Sequence, residues 1–279
     1  YATSIAMLIV ALAAPFLGVF GDIRGMRKKL FSFFMLLGVA ACAGMAFTPG
    51  MDFTSGPVAA GKVASLILVL YIVSVIGFDA SAIYYDAFLT DVTIEDRMDK
   101  VSTMGYGLGY IGGSTIPLLI FLIMNLVGVP MLTCLAFVFG LTAVWWLAFS
   151  LPLLKNCEQT SGKPYEKGDV ARSIKGVGTT IKEIIANKPM LIYILSYFFY
   201  IDGVHTVISM ATTYGTNLGL DSTGMMLALL LVQILGLPFC LLYIKCSEKF
   251  GARTMVGFGI CVYMFICIFA FFMNSLWQF

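Results

Sequence analysis

Residues 1–29 read YATSIAMLIVALAAPFLGVFGDIRGMRKK, about twenty mostly apolar residues followed by a short loop with four basic ones. An α-helix needs about 20 apolar residues to cross the hydrocarbon core of a bilayer, so this stretch predicts a membrane span. The pattern recurs, and eight spans are predicted, at about residues 1–20, 30–47, 63–85, 103–127, 130–152, 189–213, 222–244 and 255–273. Barrel strands would alternate polar and apolar residues over about ten positions, which these runs do not. The predicted fold is an all-α polytopic membrane protein.

The composition of the 279-residue chain supports this fold. The chain is 60% hydrophobic and 11% charged, whereas soluble domains are about one quarter charged. So few charges argue against a soluble enzyme, a nucleic-acid-binding protein and a disordered scaffold. The seven Cys are scattered without a CxxC pair, and the sequence has no HExxH, phosphate-binding loop or nucleophile elbow. We therefore expect no enzyme activity, no cofactor, no metal ion and no nucleic-acid partner.

The basic residues set the predicted orientation. Sixteen of the 17 Lys and Arg residues lie in alternate loops, those after the first, third, fifth and seventh spans, and only Lys62 lies elsewhere. Because loops rich in Lys and Arg stay in the cytoplasm, these four loops are predicted to be cytoplasmic and the residue-1 end to be outside.

The longest of these loops, residues 153–188, is predicted to be a cytoplasmic linker with two parts. Polar and small residues typical of a flexible linker come first: Asn156, Gln159, Ser161, Gly162 and Pro164. Apolar residues at helical spacing then predict an amphipathic helix on the membrane surface: Val170, Ile174, Val177, Ile181 and Ile185.

A short motif occurs twice, in the first and the last of the cytoplasmic loops. Both copies have the pattern acid-x-x-Gly-x-Arg, in Asp22-Gly25-Arg27 and in Glu248-Gly251-Arg253. Two parallel six-helix repeats would place such motifs at equivalent positions. By this reasoning we expect twelve spans in the complete protein, one before the first residue and three after the last. Residues 1–152 would then form the N-terminal lobe, and residues 189–279 the start of the C-terminal lobe.

These sequences resemble a known family. The stretch Gly18-x-x-x-Asp22-x-x-Gly25-x-Arg27-Lys28 resembles the loop signature of the major facilitator superfamily, although Ile23 stands where a basic residue is usual. Three further stretches resemble its vacuole-effluxer-like branch, the autophagy-related amino-acid effluxers and their bacterial relatives: residues 85–91 (YDAFLTD), 101–113 (VSTMGYGLGYIGG) and 200–208 (YIDGVHTVI). The resemblance implies a helical bundle of the major facilitator type, with two lobes.

The repeated motif indicates gating loops. An acid at a helix end can cap the N-terminus of a neighbouring helix, while Arg27 or Lys28 can reach acids of the next cytoplasmic loop: Asp91, Glu95, Asp96 and Asp99. The resemblance implies that this cluster latches the two lobes in the outward-facing state. The alternative is that the basic residues only set the topology. The predicted gating residues are Gly18, Asp22, Gly25, Arg27, Lys28, Glu248, Gly251 and Arg253.

Charged residues within spans are rare and mark functional positions. Asp202 lies near the middle of the sixth span, and His205 follows one turn later on the same face. They can bind a substrate amine, couple a proton, or both; the alternative is a structural bond that fixes this helix. Asp79 lines a cavity or is simply buried, and Gln233 is a pathway contact or a contact between helices. We predict a substrate and proton pathway formed by Asp202, His205, Asp79 and Gln233.

Glycines recur every four residues in the fourth span, at Gly105, Gly109 and Gly113, which predicts a smooth face for close helix packing. The GxGxxG pattern at residues 107–112 follows no strand, so a dinucleotide site is not predicted.

The sequence therefore predicts a secondary active transporter that works by alternating access. By the resemblance, its substrate is a small solute such as an amino acid, moved by efflux, with or without proton coupling. The alternatives are a proton-coupled drug or sugar carrier of the same superfamily, and a non-transporting membrane receptor or scaffold. The expected partners are the small-molecule substrate, protons if transport is coupled, and the lipid bilayer, with the protein a monomer. A bacterial protein would lie in the plasma membrane and a eukaryotic one in the vacuolar membrane.

Overall fold

The computed structural model describes residues 1–51, 56–162, 164 and 169–279, without the side chains of residue 114 and residues 169–175. These residues are almost entirely helical, and no strand occurs among them. The helices are α1 (Ala2–Gly21), α2 (Met26–Phe47), α3 (Pro57–Ala87), α4 (Leu89–Val92), α5 (Met98–Gly109), α6 (Ile116–Leu126), α7 (Met131–Asn156), α8 (Asp169–Ala186), α9 (Lys188–Asn217), α10 (Ser222–Phe250) and α11 (Ala252–Phe271). A π-helical turn, Tyr110–Thr115, joins α5 to α6.

Eight helical stretches in the described part of the chain are long and apolar enough to cross a membrane. Each coincides with one predicted span, which confirms the all-α polytopic fold. Several helices extend past the predicted span ends; α3, for example, has 31 residues. The backbone hydrogen bonds of a helix continue through polar residues, so a helix need not end where its apolar stretch ends.

The first of two compact units comprises Tyr1–Met98 and Pro117–Thr179. Within it, α2 packs against α3 and α7, and α1 packs against α3. Buried side chains on α2 recur at spacings of three and four and form the centre of this core, namely Phe31, Met35, Val39, Cys42 and Met45. One face of α2 therefore supplies most of the core.

The closest helix contact of this unit joins α2 to α3. A Cβ at Gly77 would lie 2.6 Å from the Cα of Gly38, so both positions require glycine. The Ser74 hydroxyl donates to the Gly38 carbonyl at 3.2 Å. Tyr84 is fully buried and donates to the Leu17 carbonyl on α1 at 3.0 Å. The glycine crossing joins α2 and α3 in their middle, and the Tyr84 hydrogen bond joins α3 to α1 near the α1–α2 loop.

The second unit comprises Asp99–Ile116 and Thr180–Phe279. Here α10 packs against the π-helical turn and against α9 and α11, and the Tyr214 hydroxyl of α9 donates to the Ala270 carbonyl of α11 at 2.9 Å. Residues 99–116, which the predicted N-terminal lobe includes, group with this second unit. The lobe boundaries therefore stay predictions.

Helix α8 occupies the stretch for which the sequence predicts an amphipathic helix. Ile181 and Ile185 are 48% and 59% exposed, while the side chains of Val170 and Ile174 lie outside the described residues. Exposed apolar side chains suit a helix that lies on a membrane surface, and that location stays a prediction.

Candidate functional site

The loop between α1 and α2, the first gating loop (residues 18–28), turns within four residues. Helix α1 ends at Gly21, and Gly25, the N-cap residue of α2, has φ +81°, a left-handed conformation that glycine adopts without strain. Ile23 is buried, whereas Asp22 is exposed. The tight turn therefore packs one side chain inward and presents the acidic one outward.

Arg27 and Asp91 form a buried ion pair at the base of this loop. Nη1 of Arg27 donates to Oδ2 of Asp91 at 2.5 Å, and the two side chains are 6% and 0% exposed. The same nitrogen donates to the Ala87 carbonyl at 2.9 Å and to the Ser161 hydroxyl at 3.2 Å, and the guanidinium lies 5.7 Å from the centre of the Phe88 ring. Since a buried charge without its counter-ion is strongly unfavourable, each member of the pair depends on the other.

Asp91 also binds the segment that follows α7, residues 157–162, which we call the α7 extension. Oδ1 of Asp91 accepts hydrogen bonds from the backbone N–H groups of Thr160 and Ser161 at 3.1 and 2.9 Å. It also accepts one from the Thr160 hydroxyl at 2.9 Å. The carboxylate thus joins α2 and α4 to the α7 extension.

Gln159 of the α7 extension contacts both ends of the α1–α2 turn. Its Oε1 accepts from the backbone N–H groups of Gly25 at 2.8 Å and Arg27 at 3.2 Å. Its Nε2 donates to the Gly21 carbonyl at 2.9 Å. The structure therefore differs from the flexible linker predicted for this segment. Sequence reasoning missed Gln159 because Gln, Thr, Ser and Gly are as common in linkers as in segments that bind a neighbouring backbone.

The other predicted residues of the first gating loop have different surroundings. The Lys28 ammonium donates to the Cys157 carbonyl at 3.1 Å. Gly18 is half-buried, and no atom lies within 4 Å of a Cβ built there. The exposed Asp22 carboxylate caps no α-helix within the described residues, where the N-cap residues that use their own side chains are Asn187 at α9 and Asp221 at α10.

Of the four acids predicted to face the basic loop residues, Asp91 is the one that contacts Arg27. Glu95, Asp96 and Asp99 are exposed. The structure thus places one predicted acid against one predicted base, and the function of that contact as part of a latch stays a prediction.

The second copy of the motif lies between α10 and α11. Glu248 is 3.7 Å from the ammonium of Lys100, and both side chains are more than 60% exposed. Gly251 has φ +83°, as Gly25 has, but ψ is 147° at Gly251 and −3° at Gly25. Arg253 is exposed. The two motif copies therefore share a left-handed glycine and differ in the turn that it forms.

The predicted pathway residues lie in both units. Asp79, on α3 of the first unit, is half-buried. In the second unit, Asp202 and His205 are exposed on α9, and Gln233 is half-buried on α10. No ion pair joins Asp202 to His205 within the part of the chain that the structure describes. Their roles in a pathway stay predictions.

The close contact of α5 with α10 is made at a glycine outside the predicted packing face. A Cβ at Gly105, Gly109 or Gly113 would meet no atom within 4 Å. Gly107 is buried instead, and a Cβ there would lie 3.0 Å from side-chain atoms of Leu237 and Cys240 on α10. The contact of α5 with α10 in this unit therefore uses Gly107, and packing by the other three glycines stays a prediction.

No group of three or more His, Cys, Asp or Glu residues that could hold a metal ion occurs among the described residues. The basic side chains of the first gating loop bind Asp91 and groups of α3 and the α7 extension. The arrangement is that of a fixed turn with one outward-facing carboxylate.

Comparison with known proteins identifies a family that the chain matches. The chain matches the family described as vacuole effluxer Atg22 like over residues 1–97 and 90–279. It is 39% identical to the uncharacterized MFS-type transporter YxiO of Bacillus subtilis (strain 168) over 281 residues, which cover 99% of this chain and 63% of that protein. The chain therefore spans less than two thirds of the length of this relative.

Fungal proteins are more distant. Autophagy-related protein 22-1 of Penicillium rubens is 24% identical over 188 residues, 63% of this chain and 32% of that protein. Autophagy-related protein 22-1 of Aspergillus niger is 24% identical over 176 residues, 60% of this chain and 28% of that protein. No solved structure matches the chain significantly.

Proposed function

This chain belongs to the vacuole effluxer Atg22-like family, and we propose that the complete protein is a secondary active transporter that moves a small solute by alternating access. The observation that carries the proposal is the family match along the whole chain, together with 39% identity to a protein named as an MFS-type transporter. The eight apolar helices suit this architecture. In such proteins, two helical lobes move around a site near the middle of the membrane.

The proposed substrate is an amino acid, and the proposed direction is efflux. The support is the resemblance of residues 85–91, 101–113 and 200–208 to amino-acid effluxers, and the description of the family as effluxers. Asp202 and His205 are proposed to bind the substrate amine, to carry a coupled proton, or both, because a carboxylate attracts an ammonium group and an imidazole can accept and donate a proton. The bacterial relative favours a plasma-membrane location.

Flux through the full-length protein in proteoliposomes tests the proposal. We expect saturable, competable counterflow of at least one labelled amino acid, absent from protein-free liposomes. A pH gradient should accelerate it if transport is proton-coupled. Flux of sugars or drugs but of no amino acid would instead support the alternative carrier. Absence of flux for every solute, with and without a pH gradient, would support the alternative of a non-transporting membrane receptor or scaffold.

The first gating loop is proposed to form part of the contact that closes the cytoplasmic side. Arg27 is held by Asp91, whereas the Asp22 carboxylate is exposed on a turn whose backbone is fixed. An exposed carboxylate on a fixed turn is available to an opposing surface. Because a transporter must cross between states, this contact can supply only a few kcal/mol of bias between them.

An Asp22→Asn variant tests this latch, with Glu183→Gln as the control for loss of an exposed acid outside the predicted latch residues. Asp22→Asn should shift the protein toward the inward-facing state. A cysteine at Asp79 should then react faster with a cytoplasmic reagent, and a cysteine in the outer half of the pathway more slowly with an external one, since one equilibrium governs both. Unchanged reactivity with lower expression would make the loop a folding signal only.

A further inference from the structure

The turn between α1 and α2 lacks a cap of its own. The first N–H groups of a helix have no acceptor within the helix and need one from elsewhere. Gly25 stands at the cap position of α2 and has no side chain to supply one. The Oε1 atom of Gln159 fills this role, because it accepts from the N–H groups of Gly25 and Arg27.

The amide of Gln159 also serves the end of α1. The last carbonyls of a helix are the unpaired acceptors, and Nε2 of Gln159 donates to the carbonyl of Gly21 at 2.9 Å. A side-chain amide combines an acceptor and a donor on one planar group, and a carboxylate offers acceptors only. Gln159 therefore holds the last turn of one helix and the first turn of the next in a fixed relation.

The main chain of the α7 extension lies against the same turn. Gly162 has φ +112°, and a Cβ there would lie 2.7 Å from the carbonyl oxygen of Asp22. Only glycine fits this approach. The guanidinium of Arg24 donates to the Thr160 carbonyl at 3.3 Å, which extends the contact along the loop.

The extension is held on its other side by Asp91, which accepts three hydrogen bonds from Thr160 and Ser161. Asp91 is at the same time the buried partner of Arg27. The α7 extension thus lies between the first gating loop and α4 and bonds to both. It cannot be displaced without breaking the bonds that hold the loop.

We propose that the α7 extension is a positioning element of the gating loop, with Gln159 as its central residue, and that the connection between the lobes acts on this loop directly. The connection to α8 then starts after Gly162 and not at the end of α7. A displacement of that connection changes the position of the turn that presents Asp22. The consequence for transport rests on the proposed function; the placement of the loop by Gln159 does not.

Backbone hydrogen exchange in the full-length protein tests the placement. Gln159→Ala removes the acceptor, so exchange at the N–H groups of Gly25 and Arg27 should rise about tenfold. Gln159→Glu keeps acceptor oxygens and loses the donor, so exchange there should stay within about twofold of wild type. Glu158→Gln changes the neighbouring exposed side chain and should leave exchange at both N–H groups unchanged.

Two cysteines test the consequence for gating, one at Asp79 labelled from the cytoplasmic side and one in the outer half of the pathway labelled from outside. Both Gln159 variants should change the ratio of outward to inward accessibility by about 2- to 30-fold, since both release the end of α1. Unchanged exchange in Gln159→Ala would overturn the placement. Raised exchange with unchanged accessibility would make the segment a structural contact only. If the Ala variant does not fold, Gln159→Asn carries the placement test, because its side chain is one methylene shorter and should raise exchange at the same two N–H groups. Neither measurement requires flux, so a failure of the transport proposal is seen separately.

Discussion

Replacing Asp91 by Asn should destabilise the first unit more than any substitution of an exposed acid in the same region. Asn retains one oxygen that can accept from Thr160 and Ser161, but it presents an NH₂ group to Nη1 of Arg27. Two donors then face each other where an ion pair stood. The guanidinium stays buried, since its side chain is 6% exposed.

The expected loss of stability depends on the hydrogen bonds that Arg27 retains in the variant. Removing one partner of a buried ion pair costs about 3–5 kcal/mol. Arg27 retains hydrogen bonds to the Ala87 carbonyl and the Ser161 hydroxyl, so the loss should lie at the lower end, about 3 kcal/mol. For a unit of this size, that corresponds to a decrease in apparent melting temperature of about 6–12 °C.

The assay is thermal unfolding of the purified protein in one detergent, followed by circular dichroism or a thiol-reactive dye. Asp96→Asn is the matched control, because Asp96 is exposed and makes no ion pair among the described residues. It should change stability by less than about 0.5 kcal/mol. A double variant, Arg27→Gln with Asp91→Asn, should lose less than the sum of the two single losses. Equal melting temperatures for Asp91→Asn and Asp96→Asn would refute the buried pair.

Three further predictions concern packing and the pathway. Gly77→Ala places a methyl group 2.6 Å from the backbone of α2 and should lower the free energy of unfolding by about 1–3 kcal/mol. Gly61→Ala on the same helix meets no atom within 4 Å and should leave the stability of the protein unchanged. Equal melting temperatures for the two variants would contradict the close crossing of α2 and α3. Gly107→Leu should destabilise the protein by a similar amount and Gly105→Leu should not, which thermal unfolding of the two variants tests. A lower melting temperature for Gly105→Leu than for Gly107→Leu would place the packing face of α5 elsewhere. Asp202→Asn should abolish the pH dependence of flux in proteoliposomes while the protein stays folded, and a wild-type pH profile would remove Asp202 from the mechanism.

The spans could be predicted from the sequence because bilayer thickness sets a length that apolar runs must meet. Each predicted span has a helix in the structure, and the gating motif lies in a turn between two of them. A pairing of Arg27 with an acid of the next cytoplasmic loop was also within reach, since a buried Arg requires a counter-ion. Which acid of the four it would be depends on the chain path after α3, and the sequence does not encode that path locally.

The α7 extension and the packing face of α5 could not be predicted in this way. Gln159 contacts a backbone 134 residues earlier in the chain, and no spacing rule links the two. Four-residue spacing identifies a smooth face at Gly105 and Gly109, but which face of a helix meets its neighbour is set by the neighbour. Leu237 of α10 lies against Gly107, on another side of α5.

The long-range cap of α2 has a consequence for how the protein is made. The ribosome adds about 5–20 residues per second, so the N–H of Gly25 is synthesised on the order of ten seconds before Gln159. Until then, the start of α2 and the end of α1 have no partner from the α7 extension. The last turn of this loop is thus completed only after α7 has been synthesised, and the nascent protein cannot finish its first gating loop in the order in which its helices appear. A fragment that ends with α7, at Asn156, would contain the helices of the first unit through α7 and an uncapped loop. A fragment intended to contain a complete first gating loop should therefore extend through Gly162.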